Sequence, residues 1–140
     1  MASEARAPVR VLVVDDDDLF ARTLAELISA EDDFELVGRA ANGREGVELT
    51  LAHRPDLVVM DIQMPVLDGL EATKRLQELE VGATVLLVSG EDVSAHGQDT
   101  RAVGAAGYVP KSAVATDLVP AMQAIAAARR TRLDPGPRTA

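Results

Sequence analysis

Val11-Leu12-Val13-Val14-Asp15-Asp16-Asp17-Asp18 joins an apolar run to four consecutive carboxylates. A short run of β-branched and leucine residues bounded by polar ones reads as a buried strand. The acids then fall where the strand ends and the next helix begins. Like charges crowded at one strand end repel each other unless a cation or a basic side chain neutralises them. Carboxylate oxygens are also the ligands that a hard divalent cation such as Mg²⁺ prefers. Part of the run has a plainer use, because an acidic residue caps a helix N-terminus and answers its dipole. Asp17 and Asp18 are assigned to that use, and Asp15 and Asp16 to a cation.

Outward from this junction, apolar runs and helical patterns alternate. Strands are expected at Val9–Val14, Phe34–Gly38, Leu57–Met60 closing on Asp61, Thr84–Val88, and a short one at Tyr108-Val109. Between and after them fall helices. The first, Leu19 to Ala30, carries Phe20, Leu24, Leu27 and Ile28 on one face. The second, Arg44–His53, follows a turn at Asn42-Gly43, has Val47 and Leu51 on one side, and is stopped by Pro55. The third runs from Gly69 to about Glu80, after a loop Ile62–Asp68 that contains Pro65. The fourth lies within Asp92–Val103 and is weakened by Gly97 and the following Gly104. The fifth, Thr116–Arg130, is rich in alanine, with Pro120 in its first turn or just past it. Met60, Met64 and Met122 are read as packing residues, and His53 and His96 as surface residues. Residues 1–8 are expected to be a disordered N-terminal segment, 9–130 one domain, and 131–140 a flexible tail.

Strand-then-helix units imply an α/β fold, a doubly wound parallel sheet with right-handed crossovers and helices on both faces. Working sites in such sheets lie at the carboxyl ends of the strands. Asp15-Asp16, Asp61, Ser89-Gly90 and Lys111 should therefore meet at one edge. A carboxylate there can attack phosphorus to form an acyl phosphate. Mg²⁺ held by Asp15, Asp16 and Asp61 would screen the charge that opposes the attack. Lys111, one of two lysines in the chain, would meet a phosphoryl oxygen, and the Ser89 hydroxyl another.

Composition narrows the alternatives. At 140 residues, 47% hydrophobic and 26% charged, the chain fits one globular domain. Aromatics make up 2%, so Val, Leu, Ile, Ala and Met must build the core. A net charge of −9 disfavours binding to nucleic acid or anionic lipid through this surface. The absence of cysteine excludes thiolate chemistry. No apolar stretch reaches membrane-spanning length, and no signal peptide opens the chain, so a cytoplasmic location is expected.

The motifs VLVVDDDD (11–18), VVMDIQMPVLDG (58–69), LLVSG (86–90) and GYVPK (107–111) resemble, in order, those of the receiver domain of two-component response regulators. The resemblance covers Val9 to Arg130. It implies a flavodoxin-like fold with five strands in the order 2-1-3-4-5 and five helices. It implies Asp61 as phosphoacceptor, Mg²⁺ or Mn²⁺ held by Asp15, Asp16, Asp61 and the backbone carbonyl of Gln63, and Ser89, Gly90, Lys111 and Tyr108 as the phosphate-binding and switch residues. The implied donor is a phosphohistidine on a sensor histidine kinase or phosphotransfer protein. The implied output is a partner-binding surface, or a homodimer face, built from the fourth helix, fifth strand and fifth helix. Gln63 and Glu91 flank the expected pocket and would tune the lifetime of the phosphate.

Such a module is not a turnover enzyme. No output domain is recognisable in these residues, so a stand-alone receiver is expected first. The alternative is the receiver portion of a helix-turn-helix transcription regulator, because Ile125–Pro135 resembles the run of such receivers into their linkers. A pseudo-receiver that is never phosphorylated is disfavoured by the complete set of residues. A Mg²⁺-dependent phosphohydrolase would need an acid/base Asp where this chain has Gln63.

Overall fold

The computed structural model describes residues 7–90 and 100–133, with the side chains of 132 and 133 excepted. The expectations for the two termini, for Glu91 and His96, and for most of Asp92–Val103 lie outside the described residues. Five parallel strands form one sheet in the order β2-β1-β3-β4-β5. They are β1 (Val9–Val14), β2 (Phe34–Ala40), β3 (Leu57–Asp61), β4 (Thr84–Ser89) and β5 (Gly107–Pro110). The helices are α1 (Asp18–Ser29), α2 (Gly43–His53), α3 (Gly69–Glu78), helical residues 100–102 (α4), and α5 (Val114–Leu133), which is entered through a 3₁₀ turn at Lys111–Ala113. This is the doubly wound, flavodoxin-like arrangement expected from the sequence.

Side chains alternate across a strand with period two, and here the alternation separates two cores. Val11, Val13, Leu57, Val59, Leu86, Val88 and Val109 pack with Leu24 and Ile28 of α1 and with Leu118 and Met122 of α5. Leu12, Val14, Val58, Met60, Val85 and Leu87 pack on the opposite face with Val47 of α2 and with Ala72 and Leu76 of α3. Met60 and Met122 are buried and Met64 packs against the second core, so all three methionines serve packing. His53 is exposed at the end of α2.

Several boundaries differ from the sequence reading. β2 continues to Ala40, because Ala40 pairs with Val14, and a register shift between Val11 and Leu12 leaves Val37 as the extra residue of a bulge. Asn42-Gly43 is a helix start: the Asn42 side chain accepts from the Glu45 N–H at 2.8 Å, and Gly43 is the first helical residue. On α2, Val47 is buried but Leu51 is 41% exposed, and Thr50 takes the inward place three residues on. α5 begins at Val114, so Pro120 is its seventh residue, past the first turn and on the exposed side.

Gly104 ends α4 by a backbone device. Its φ of +94° lies in the left-handed region, its N–H bonds to the Arg101 carbonyl, and the Ala105 N–H reaches back to the Thr100 carbonyl at 3.0 Å. These two bonds satisfy carbonyls that the helix end would leave open. Gly104 therefore follows the helix and does not weaken its interior.

Candidate functional site

The four aspartates each take a separate task. Asp15 continues the inward parity of Val11 and Val13, is fully buried, and accepts from the Asp17 N–H at 2.8 Å. Asp16 is exposed. Asp17 is the N-cap of α1, its Oδ1 accepting from Leu19 N at 3.0 Å and Phe20 N at 3.2 Å. Asp18 opens the helix and pairs with Arg39 at 2.7 Å. Asp17→Ala should cost about 1 kcal/mol, the usual worth of a cap, read as a lowered urea midpoint at unchanged slope.

Asp61 follows Leu57 and Val59 in parity, and Lys111 follows Val109, so both meet Asp15 on the α1 and α5 side of the sheet. One carboxylate oxygen from each of Asp15, Asp16 and Asp61 lies within 4.8 Å of the others. The Lys111 ammonium stands 3.2 Å from Asp61 Oδ2 and 3.4 Å from Asp15 Oδ2. Asp61 Oδ1 accepts from the Gln63 N–H at 3.3 Å. Gly90 lies beside the Lys111 stem, where a Cβ would sit 4.0 Å from Cδ.

Ser89 and Tyr108 follow the opposite strand parity. Ser89 is fully buried at the end of β4 and shares the parity of Val85 and Leu87. Tyr108 is half-buried, pairs with Leu87 across the ladder, and packs against the α2 and α3 core.

Burial raises the pKa of Asp15 above the ordinary carboxylate value; the Asp17 N–H and Lys111 oppose this without reversing it. Burial and then the facing Asp15 charge raise Asp61 as well. For Lys111, burial acts downward, but the charges of Asp15 and Asp61 prevail and raise it. Among the described residues, one ammonium thus faces two carboxylates, with a third, Asp16, beside them. Asp15 Oδ2 is buried and accepts no hydrogen bond, with Lys111 facing it as an ion pair. Hard oxygen donors, a negative surplus and a buried acceptor without a hydrogen bond together fit a divalent cation such as Mg²⁺.

A carboxyl whose folded pKa is raised costs stability once ionised. That cost is absent below the ordinary value and fully present above the raised one. Without Mg²⁺, the protein should gain a few degrees in Tm as pH falls through the raised values of Asp15 and Asp61 towards the ordinary carboxylate value. The stabilisation given by Mg²⁺ should shrink over the same range, because protons compete for the same oxygens. Thermal unfolding across pH, with Mg²⁺ and with a chelator, measures both slopes. A Tm without Mg²⁺ that falls steadily from neutral would contradict this charge balance.

The loop from Asp61 to α3 is tightly built. Gly69 N donates to the Ile62 carbonyl at 2.6 Å, and a Cβ on Gly69 would overlap the Asp61 carbonyl. Val66 holds φ at +73° while Leu67 N bonds to the Pro65 carbonyl at 2.8 Å, a tight turn that a β-branched residue rarely adopts. Strain of this kind, of order 1–3 kcal/mol, clusters at functional loops.

Three participants were absent from the sequence reading of the site. Arg39 bonds the Asp15 carbonyl at 2.9 Å as well as Asp18, steadying the acidic turn from the tip of β2. Gly69 lets α3 start against the Asp61 backbone. Phe20, read only as a core-facing residue, also lies with its ring centroid 4.5 Å from the Lys111 ammonium.

The family model described as the response regulator receiver domain matches residues 11–123. The transcriptional regulatory protein PdtaR of Mycobacterium tuberculosis is 37% identical over 123 residues, covering 86% of this chain and 58% of its own length. The receiver domain of the response regulator NarL from Mycobacterium tuberculosis superposes with a TM-score of 0.82 at 33% identity, covering 86% of this chain and 98% of that one. A structure of the P1 domain of CheA3 in complex with CheY6 from R. sphaeroides matches with a TM-score of 0.74 at 34% identity, covering 87% of this chain and 99% of that one. The chain spans 27% and 58% of the length of two of the curated relatives. No helix among the described residues is long and apolar enough to cross a membrane.

Proposed function

This chain belongs to the response regulator receiver domain family, and on that premise we propose that Asp61 accepts a phosphoryl group from a phosphohistidine and thereby switches a binding surface. Receiver domains of two-component systems interact with histidine kinases or phosphotransfer domains, and such a protein is the proposed donor, with the cytoplasm as the place where the two meet. The proposed receiver unit is residues 9–130. It acts as a signalling module that is modified, not as a turnover catalyst.

One observation carries the reading: Asp61, Asp15, Asp16 and Lys111 crowd together at the carboxyl edge of the sheet, with Lys111 3.2 Å from Asp61. An oxygen of the ionised Asp61 carboxylate attacks phosphorus. The new O–P bond forms as the N–P bond of the donor breaks, and its electron pair returns to the imidazole nitrogen, which takes up a proton. Asp15, Asp16, Asp61 and the Gln63 carbonyl would hold Mg²⁺, which when bound screens the charge between the carboxylate and the phosphoryl oxygens. Lys111 supplies a second positive charge from the protein itself. The buried setting that raises the Asp61 pKa also makes its carboxylate a better nucleophile, since less water surrounds it.

The added charge would draw the Ser89 hydroxyl, and Tyr108, on the same face as Ser89, would follow. Ala106 just before β5 and Ala124, Ala127 and Ala128 of α5 are exposed, and the surface formed by α4, β5 and α5 is the proposed output and homodimer face. Incubation with acetyl phosphate and Mg²⁺, followed by intact-mass measurement, tests the acceptor role. One added phosphoryl group that is hydroxylamine-labile and lost with a chelator is expected; no added mass with the ion present would refute the reading.

A further inference from the structure

The Lys111 ammonium is held from two sides. Asp61 and Asp15 face it at 3.2 and 3.4 Å, and the Phe20 ring lies 4.5 Å away, centroid to nitrogen. An ammonium carries three N–H donors. Two carboxylates engage it on one side, and the face of an aromatic ring attracts what remains of its charge. The place of Phe20 is set independently of Lys111. The Asp17 cap fixes its backbone N–H at the start of α1, and its side chain packs against the core on the α1 and α5 side.

We propose that Phe20 is a positioning residue for phosphoryl transfer to Asp61, its ring holding the Lys111 ammonium beside the acceptor carboxylate. The proposal rests on the reading of Asp61 as phosphoacceptor. Phe20 touches neither donor nor acceptor, so its effect passes through Lys111. A leucine of similar bulk would fill the space but offer no negative face, and Lys111, whose side chain is 23% exposed, would be freer to swing into solvent. A carboxylate at that place would hold the lysine too, but would compete with the phosphoryl oxygens for its protons. The ring orients the cation while leaving its hydrogen-bonding capacity for the reaction.

Phe20→Leu and Phe20→Trp, each alone and combined with Lys111→Met, make the test. In the metal-free wild type, the ε-methylene protons of Lys111 should show an upfield ring-current shift that Phe20→Leu removes and Phe20→Trp keeps. With acetyl phosphate and Mg²⁺, Phe20→Leu should slow labelling of Asp61 by about 2- to 30-fold, the span of an ordinary cation–π contact, while Phe20→Trp labels at near the wild-type rate. Urea unfolding of the four-variant cycle should show that the Phe20→Leu effect shrinks once Lys111 is methionine. Wild-type labelling by Phe20→Leu, or equal Phe20→Leu effects in both Lys111 backgrounds, overturns the proposal. A missing ring-current shift alongside normal labelling overturns it alone. A present shift with no labelling of the wild type refutes the acceptor reading and takes the positioning role with it.

Discussion

Asp61→Asn should take up no phosphoryl group under conditions that label the wild type to completion, and it should also melt higher without Mg²⁺. The two results share a cause. The amide keeps the shape of the acid but has no anionic oxygen to attack phosphorus, so the loss is complete and not partial. It also removes a buried charge that the fold holds at a raised pKa beside Asp15, so the metal-free protein loses a repulsion. Lys111 still faces Asp15 at 3.4 Å and is not left without a counter-charge. Mg²⁺ should then stabilise the variant less than the wild type, because one anionic ligand is gone. Intact mass and paired thermal melts separate these outcomes. A variant that still gains a phosphoryl group would move the acceptor to another carboxylate, with Asp15 and Asp16 the first to examine.

Gly69→Ala should destabilise the protein by about 3 kcal/mol, the upper end for overpacking, because the obstacle is backbone. A methyl there would run into the Asp61 carbonyl and the Ile62 Cα. Neither can retreat cheaply: Ile62 N bonds to the Val88 carbonyl at 2.9 Å, and Asp61 is the last residue of β3. Alanine is the better helix former by about 1 kcal/mol, but Gly69 is the first residue of α3, where that preference counts least. The substitution should also slow phosphoryl uptake, since the displaced atoms carry the acceptor. A urea midpoint equal to wild type would show that the α3 start is looser than this packing requires. Gly43, whose Cβ would meet the Leu67 carbonyl, presses on the same loop from α2.

Residue type and the positions of the strand ends made much of this site legible beforehand. Asp15, Asp61 and Lys111 each end or follow a strand, so a parallel sheet must bring them to one edge. Asp17 was legible because an acid before a helical pattern is an N-cap signal. Asn42 carried the same signal, but the glycine beside it read more strongly as a turn. Arg39 was beyond reach because its role depends on a β1–β2 register that contains a bulge. Phe20 was placed on the correct helix face, yet its contact with Lys111 depends on two side-chain rotamers that no spacing rule encodes. α5 starts before the alanine-rich run because Val114 and Leu118, buried one turn apart, already hold its first turn on the core.

Tyr108 is the single tyrosine, and the chain has no tryptophan. Its phenol on β5, half-buried against the core on the α2 and α3 side, is therefore the dominant near-ultraviolet chromophore and the natural source of emission. Rearrangement around β5 can be followed optically in the unlabelled protein, at a residue that needs no engineering and that packs on the other core from the one beneath Lys111.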